Sequence, residues 1–209
     1  MAETLPEVFV VRVLRYFLIL LCCAVPAVYA WQPQQGDIIF HTSRSSQSLA
    51  IQKATGSVYS HMGIILLRDG KPYVYEAAKT VRFTPLAQWI ARGTGSRYVV
   101  KRLKKPLSAS QQQQLYRQAL HYQSRPYDLT FSWDDERIYC SELVWKIYKN
   151  ALNTEVGQLQ TLREFDLSSP EVQAKMKERY GEHIPLNETV ISPVAMFDSP
   201  LLTTVYKSR

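Results

Sequence analysis

Two rhythms of apolar and polar positions run along this chain, and the changes between them mark its elements. Gly36-Asp37 followed by Ile38-Ile39-Phe40 reads as a turn running into a buried strand. Ser46 stands where it could cap a short helix over residues 47–54, closed by Gly56. An apolar strand over 62–67 then meets Arg68-Asp69-Gly70-Lys71, a hairpin turn signal, and an alternating strand returns over 73–77. Thr84-Pro85 has the form of an N-cap with proline at the first helical position, which predicts a helix through Ile90. A strand over 98–103 follows. The period then changes to that of helices. Ser108 or Ser110 caps a helix reaching about residue 123, with Leu115, Ala119 and Tyr122 on one face. A second helix runs over 140–152, with Leu143, Val144, Ile147, Tyr148 and Ala151 aligned. A third opens at Ser169-Pro170 and stops at Gly181, and residues 202–206 can add an edge strand. Strands crowd the first half and helices the second, which predicts an α+β fold with helices packed on one side of a sheet.

The segment before residue 31 is set apart from this fold. Arg12 and Arg15 precede an apolar run over 16–25, and the stretch ends Pro26-Ala27-Val28-Tyr29-Ala30. Small or apolar residues at Val28 and Ala30 predict signal peptidase cleavage before Trp31, so residues 1–30 read as a signal peptide and 31–209 as one domain. The run is shorter than the ~20 apolar residues a membrane span requires. A periplasmic or secreted protein is the expectation, with a retained anchor as the alternative.

Export changes the meaning of the cysteines. Cys22 and Cys23 leave with the signal, so Cys140 becomes the one thiol of the mature protein, in an oxidising compartment. A lone cysteine is more often a small buried hydrophobe than a reactive group, so its neighbours must decide. The formal charge of +7 favours anionic partners, which outside the cell means wall polymers or lipid head groups rather than nucleic acid.

Cys140 opens the predicted helix in Tyr139-Cys140-Ser141-Glu142-Leu143. Unpaired backbone N–H groups and the positive end of the helix dipole gather there, which stabilises a thiolate and can hold an oxyanion. A thiol nucleophile also needs a base held by a third group. Of the four histidines, His61 begins the hairpin in Ser60-His61-Met62-Gly63, whereas His41 ends a strand, His121 lies in a helix and His183 in a loop. Pairing Arg68 with Lys71 carries the count to Glu76 near Gly63, within about two residues of His61 on the neighbouring strand. Cys140, His61 and Glu76 are therefore the candidate catalytic set. Tyr59, Tyr139 and Asp37 are candidate substrate contacts. Packing roles compete for the two tyrosines, and fixing of the turn by bonding its own backbone competes for Asp37.

The blocks Gly36-Asp37-Ile38-Ile39-Phe40, Ser60-His61-Met62-Gly63-Ile64 and Tyr139-Cys140-Ser141-Glu142-Leu143-Val144 resemble those of NlpC-like cell-wall peptidases. In those enzymes the cysteine block comes first; here it comes last. That order resembles the circularly permuted papain-like amidases of the YiiX/YaeF branch, as do Arg125-Pro126-Tyr127-Asp128 and the C-terminal tail. The resemblance implies a papain-like core with Cys140 as nucleophile, His61 as base and Glu76 at the more variable third position. It also implies hydrolysis of amide bonds in cell-wall peptides or N-acyl substrates through a thioester. No metal or organic cofactor is expected, since the chain has no HExxH, Cys/His cluster or glycine-rich phosphate loop. A lipid acyl hydrolase or acyltransferase on the same fold would show a long apolar groove beside Cys140. A non-catalytic wall-binding module is the third reading.

Overall fold

Asp69 (φ 50°) and Gly70 (φ 73°) both take the left-handed conformation that a two-residue hairpin turn requires. In the computed structural model, which describes residues 29–209, they join β2 (His61–Arg68) to β3 (Lys71–Ala77). Arg68 faces Lys71 as the turn signal predicts. β4 (Val81–Pro85) lies beyond β3; on the other side of β2 come β1 (Ile38–His41), β5 (Val99–Leu103) and β8 (Leu202–Lys207). The six-stranded sheet has the order β4-β3-β2-β1-β5-β8, and its pairings are antiparallel. The expected signal segment lies outside the described residues apart from Tyr29 and Ala30. Among the described residues no helix is long and apolar enough to cross a membrane.

Strand alternation divides the sheet's side chains between two cores. Ile38, Phe40, Met62, Ile64 and Tyr75 join Leu115, Ala119, Leu143, Val144 and Ile147, which come from α3 (Ala109–Leu120) and α4 (Cys140–Leu152). Ile39, Ile65, Val74 and Val100 point the other way. They are covered by Leu86 and Trp89 of α2 (Leu86–Arg92) and by Trp31. The expectation of helices on one side thus holds for α3 and α4 and fails for α2, because this second face is too apolar to be left to water. Trp31, where the mature chain is expected to begin, stacks on Tyr206 at 6.4 Å between ring centroids.

Two predicted caps are corrected. Thr84 lies in β4, and α2 begins at Leu86 after Pro85, so Thr84 caps no helix. Its hydroxyl is committed to the site described below. Ser46 caps nothing either: Gln47 precedes α1 (Ser48–Thr55) without a side-chain cap, while Gly56 at φ 62° closes it as expected. Ser108 does cap α3, with Gln111 reciprocating, and Ser169 caps α5 (Pro170–Tyr180). α1 and α5 share a small core of Ala50, Leu162, Val172 and Met176. The remaining pieces are a short ribbon of β6 (Gln160–Thr161) and β7 (Thr189–Val190), followed by α6 (Pro193–Phe197).

Candidate active site

Thirteen residues of strongly amphipathic sequence make α4, and its first turn is wedged between the sheet and the strap that follows β7. The Ser141 hydroxyl donates to the Ile191 carbonyl at 2.7 Å, and the Ile191 N–H donates to the Tyr139 hydroxyl at 3.0 Å. Glu142 accepts from the Tyr139 N–H at 3.2 Å and pairs with Lys146 at 2.8 Å. Burial nonetheless lifts its carboxyl to about 8, against the pull of Lys146. Cys140 is thereby fixed at the helix start, 3% exposed.

His61 stands at the first position of β2, where the end of the sheet meets that helix start. Its Nε2 lies 2.6 Å from Glu76 Oε2, and the Cys140 thiol is close enough to the ring to raise its affinity for a proton. With Nε2 occupied by the carboxylate, the nitrogen left for the thiol is Nδ1. Burial alone would lower the imidazole's affinity for protons. The hydrogen bonds and charges of Cys140 and Glu76 overcome it and hold His61 at about 10. Burial likewise opposes ionisation of Cys140, but His61 and the backbone N–H groups of Met62 and Ser141 bring the thiol below its ordinary value. Both directions favour a thiolate–imidazolium pair.

Glu76 is fully buried and surrounded by donors. Besides His61, Trp89 Nε1 donates to Oε2 at 2.9 Å, Thr84 Oγ1 donates to Oε1 at 2.6 Å, and the Arg92 guanidinium also bonds Oε1. Burial pushes this carboxyl up; His61, Thr84 and Arg92 bring it down to about 2. It therefore stays an anion throughout the neutral range. Thr84, Trp89 and Arg92 were missed by sequence reasoning. Only the register could have found Thr84, since a β4 paired to β3 puts it on the face of Val74 and Glu76.

Gly63 lets β3 come this close. A Cβ there would lie 2.4 Å from Val74 Cγ1 and 2.9 Å from the Tyr75 carbonyl oxygen. Gly63→Ala is expected to force β2 and β3 apart beside Glu76, costing about 2 kcal/mol by overpacking, together with much of the activity. Thermal unfolding and an activity assay on the same sample check this.

Three of the six candidate residues are thus brought together: Glu76 bonds His61, and His61 and Cys140 shift each other's protonation. The others are placed differently. Tyr139 lines the cavity beside Cys140, with its hydroxyl tied to Ile191. Tyr59 stacks on Phe197 at 4.3 Å. Asp37 is buried, accepting from Arg102 Nε at 2.6 Å and from the Gln34 N–H at 2.9 Å. It fixes the turn before β1, as the backbone-bonding alternative has it, and lines neither cavity at the site.

Those two cavities lie on either side of the pair. Cys140 borders a small slot of about 80 Å³ whose exposed surface is mainly apolar, with Ala50, Ala54, Phe131, Leu162, Val172 and Ile191 in its walls beside Lys175 and Arg179. His61 borders an open cleft of about 710 Å³, lined mostly by polar and basic residues together with Ala77, Ala78 and Leu129. Gln47 and Tyr127 line both. Gln47 Nε2 donates to the Tyr127 hydroxyl at 2.8 Å, and burial followed by the Cys140 charge keeps that phenol protonated. His41, directly across from His61 in the β1–β2 register, stacks on Trp89 at 3.8 Å. Burial, aided by the His61 charge, lowers it to about 3, so it stays neutral.

A permuted order of the His and Cys blocks on a papain-like sheet and helix is a narrow description, and the comparisons agree with it. The model of the permuted papain-like amidase enzymes, YaeF/YiiX, C92 family, matches residues 32–206. The chain belongs to this family. YaeF/YiiX membership makes it a cysteine hydrolase of the amidase type at the level of the family. The uncharacterized protein YiiX of Escherichia coli strain K12 is 59% identical over 193 residues, covering 92% of this chain and 95% of that protein. The crystal structure of YiiX from Escherichia coli O157:H7 superposes with a TM-score of 0.84 at 61% identity, over 85% of this chain and 99% of that one. That relative is described as a metalloprotein. Among the described residues of this YaeF/YiiX chain, no group of three or more His, Cys, Asp or Glu side chains is arranged to hold a metal ion.

Proposed function

We propose that this chain is an exported thiol amidase that removes an apolar acyl group from an amine, with Cys140 as nucleophile, His61 as base and acid, and Glu76 as the orienting anion. The observation that carries this reading is the apolar slot opening directly onto Cys140. A surface this apolar suits an acyl chain better than a sugar or a polar peptide, which favours N-acyl substrates over cell-wall peptides. The segment before Trp31 and the net charge of +7 support action outside the cytoplasm, near anionic polymers or lipid head groups.

In this mechanism the Cys140 thiolate attacks the acyl carbonyl, and a C–S bond forms as the oxygen takes up negative charge. The backbone N–H groups at the start of α4 and the Tyr127 O–H are the donors available to that oxygen. The C–N bond then breaks, and His61 passes its Nδ1 proton to the departing amine. Water attacks the thioester, His61 takes a proton from it, and the acid leaves with the thiolate restored. Glu76 holds the imidazole's orientation and stabilises its cation throughout. The open polar cleft gives water a path to the thioester, which favours hydrolysis over acyl transfer.

A chain-length series of p-nitroanilides tests the reading. Going from acetyl to decanoyl, kcat/KM is expected to rise about fourfold per methylene until the slot is full, since each buried CH2 contributes about 0.8 kcal/mol. Intact-mass spectrometry should show acyl-enzyme on Cys140. Ala54→Phe, which narrows the slot, should remove the long-chain preference while leaving acetyl turnover. Equal rates for acetyl and decanoyl would sink the acyl-slot assignment.

A further inference from the structure

The polar cleft on the His61 side has a composition that the hydrolysis of an arbitrary amide does not require. Its walls carry Arg44, Lys79 and Arg92, together with Ser43, Ser45, Ser46 and the Tyr127 hydroxyl, and no carboxylate. Arg44 and Lys79 are exposed. Among the described residues neither lies within ion-pair distance of an acidic side chain. Arg92 spends one amino group on Glu76 and keeps the rest of its fork toward the cleft. The positive charges of Arg92 and Arg44 both reach His41, which lines the same wall. Arg44 and Lys79, without acidic partners at a concavity they share with Arg92, form an anion-binding surface.

Reaction geometry decides which end of the substrate meets that surface. The acyl carbon bonds Sγ, so the acyl chain lies on the slot side. The nitrogen takes its proton from His61, so the amine departs on the cleft side. Resting on the amidase reading above, we infer that the leaving amine carries an anionic group, either the carboxylate of an amino acid or a phosphate ester. Arg44 and Lys79 set that specificity without touching the reacting atoms. Their side chains present charges to the tail of the amine, while Cys140, His61 and Glu76 do the chemistry.

The test uses four decanoyl amides with one acyl chain: those of glycine, phosphoethanolamine, glycinamide and ethylenediamine. Binding to the full chain carrying Cys140→Ala is measured by calorimetry at low and high salt, and turnover is measured on the unmodified enzyme. The anionic amides should bind roughly tenfold more tightly than glycinamide at low salt, the ethylenediamine amide more weakly still, and the differences should shrink as salt rises. Arg44→Glu with Lys79→Glu should erase or invert the order while glycinamide turnover changes less than about twofold. The ratio of the glycine to the phosphoethanolamine amide identifies which anion fits. Equal binding of glycine and glycinamide amides, or a preference untouched by the double variant, would overturn the inference. Charge-selective binding without turnover of any amide would instead overturn the amidase reading and leave the anion subsite standing.

Discussion

Glu76→Ala is expected to lower kcat/KM by roughly a thousandfold and to cost about 3 kcal/mol of stability. The two losses have separate origins. Activity falls because His61 loses the anion that orients its ring and stabilises its cation at 2.6 Å. Stability falls because Trp89 Nε1, Thr84 Oγ1 and the Arg92 guanidinium lose a fully buried acceptor, and buried donors without partners are costly. Arg92 is 42% exposed in its side chain and can turn to water, which limits that cost. Glu76→Gln should do little better. The four partners bond the carboxylate two to each oxygen, so an amide NH2 group would face two of them. Thermal unfolding and steady-state kinetics on both variants check the two losses. A Glu76→Ala protein with unchanged melting temperature and near-normal turnover would refute the role assigned to this carboxylate.

The second large effect is in the pH dependence. His61 is raised from 6.5 to about 10, and Cys140 is lowered from 9.0. The thiolate–imidazolium pair therefore forms as pH rises through the lowered thiol value and is lost as pH rises through about 10, where His61 gives up its proton. kcat/KM should follow a broad bell, with its acid limb below 9.0 and its alkaline limb near 10. The alkaline limb, set by His61, should not fall at the 6.5 of a free histidine. His41, lowered to about 3, and Glu76, lowered to about 2, add no limb in the neutral range. An alkaline limb centred near 6.5 would mean that the imidazole is not held by its two partners.

Much of this arrangement is legible in the residues themselves. Asp69-Gly70 specifies the hairpin register because both positions need positive φ, and that register is what brings Glu76 beside His61. The helix start at Cys140 follows from the apolar spacing of Leu143, Val144 and Ile147. Thr84-Pro85 misleads because the same dipeptide suits a helix entrance and the end of an edge strand, and only the demand of Glu76 for a donor resolves it. Trp89 and Arg92 could not be read as site residues, since they reach Glu76 from a helix whose periodicity speaks only of burial. The slot and cleft were equally hidden. Their walls come from segments as far apart as residues 47–55, 127–131 and 162–193, which no local pattern connects. Asp37 shows the converse: an acidic residue in a family block whose partners are Arg102 and its own turn.

The activation of Cys140 by His61 is the claim on which the rest depends, and alkylation kinetics reach it without a substrate. The full chain and its His61→Ala variant would be treated with iodoacetamide across a pH series, with the modified residue located by peptide mass. Rapid labelling of Cys140 at neutral pH in the unmodified chain, with an apparent pKa below 9.0, and slowing by roughly tenfold or more in His61→Ala is the expected result. Slow labelling with the same pH profile in both proteins would mean that Cys140 is a buried structural thiol, and the hydrolase reading of this site would fall.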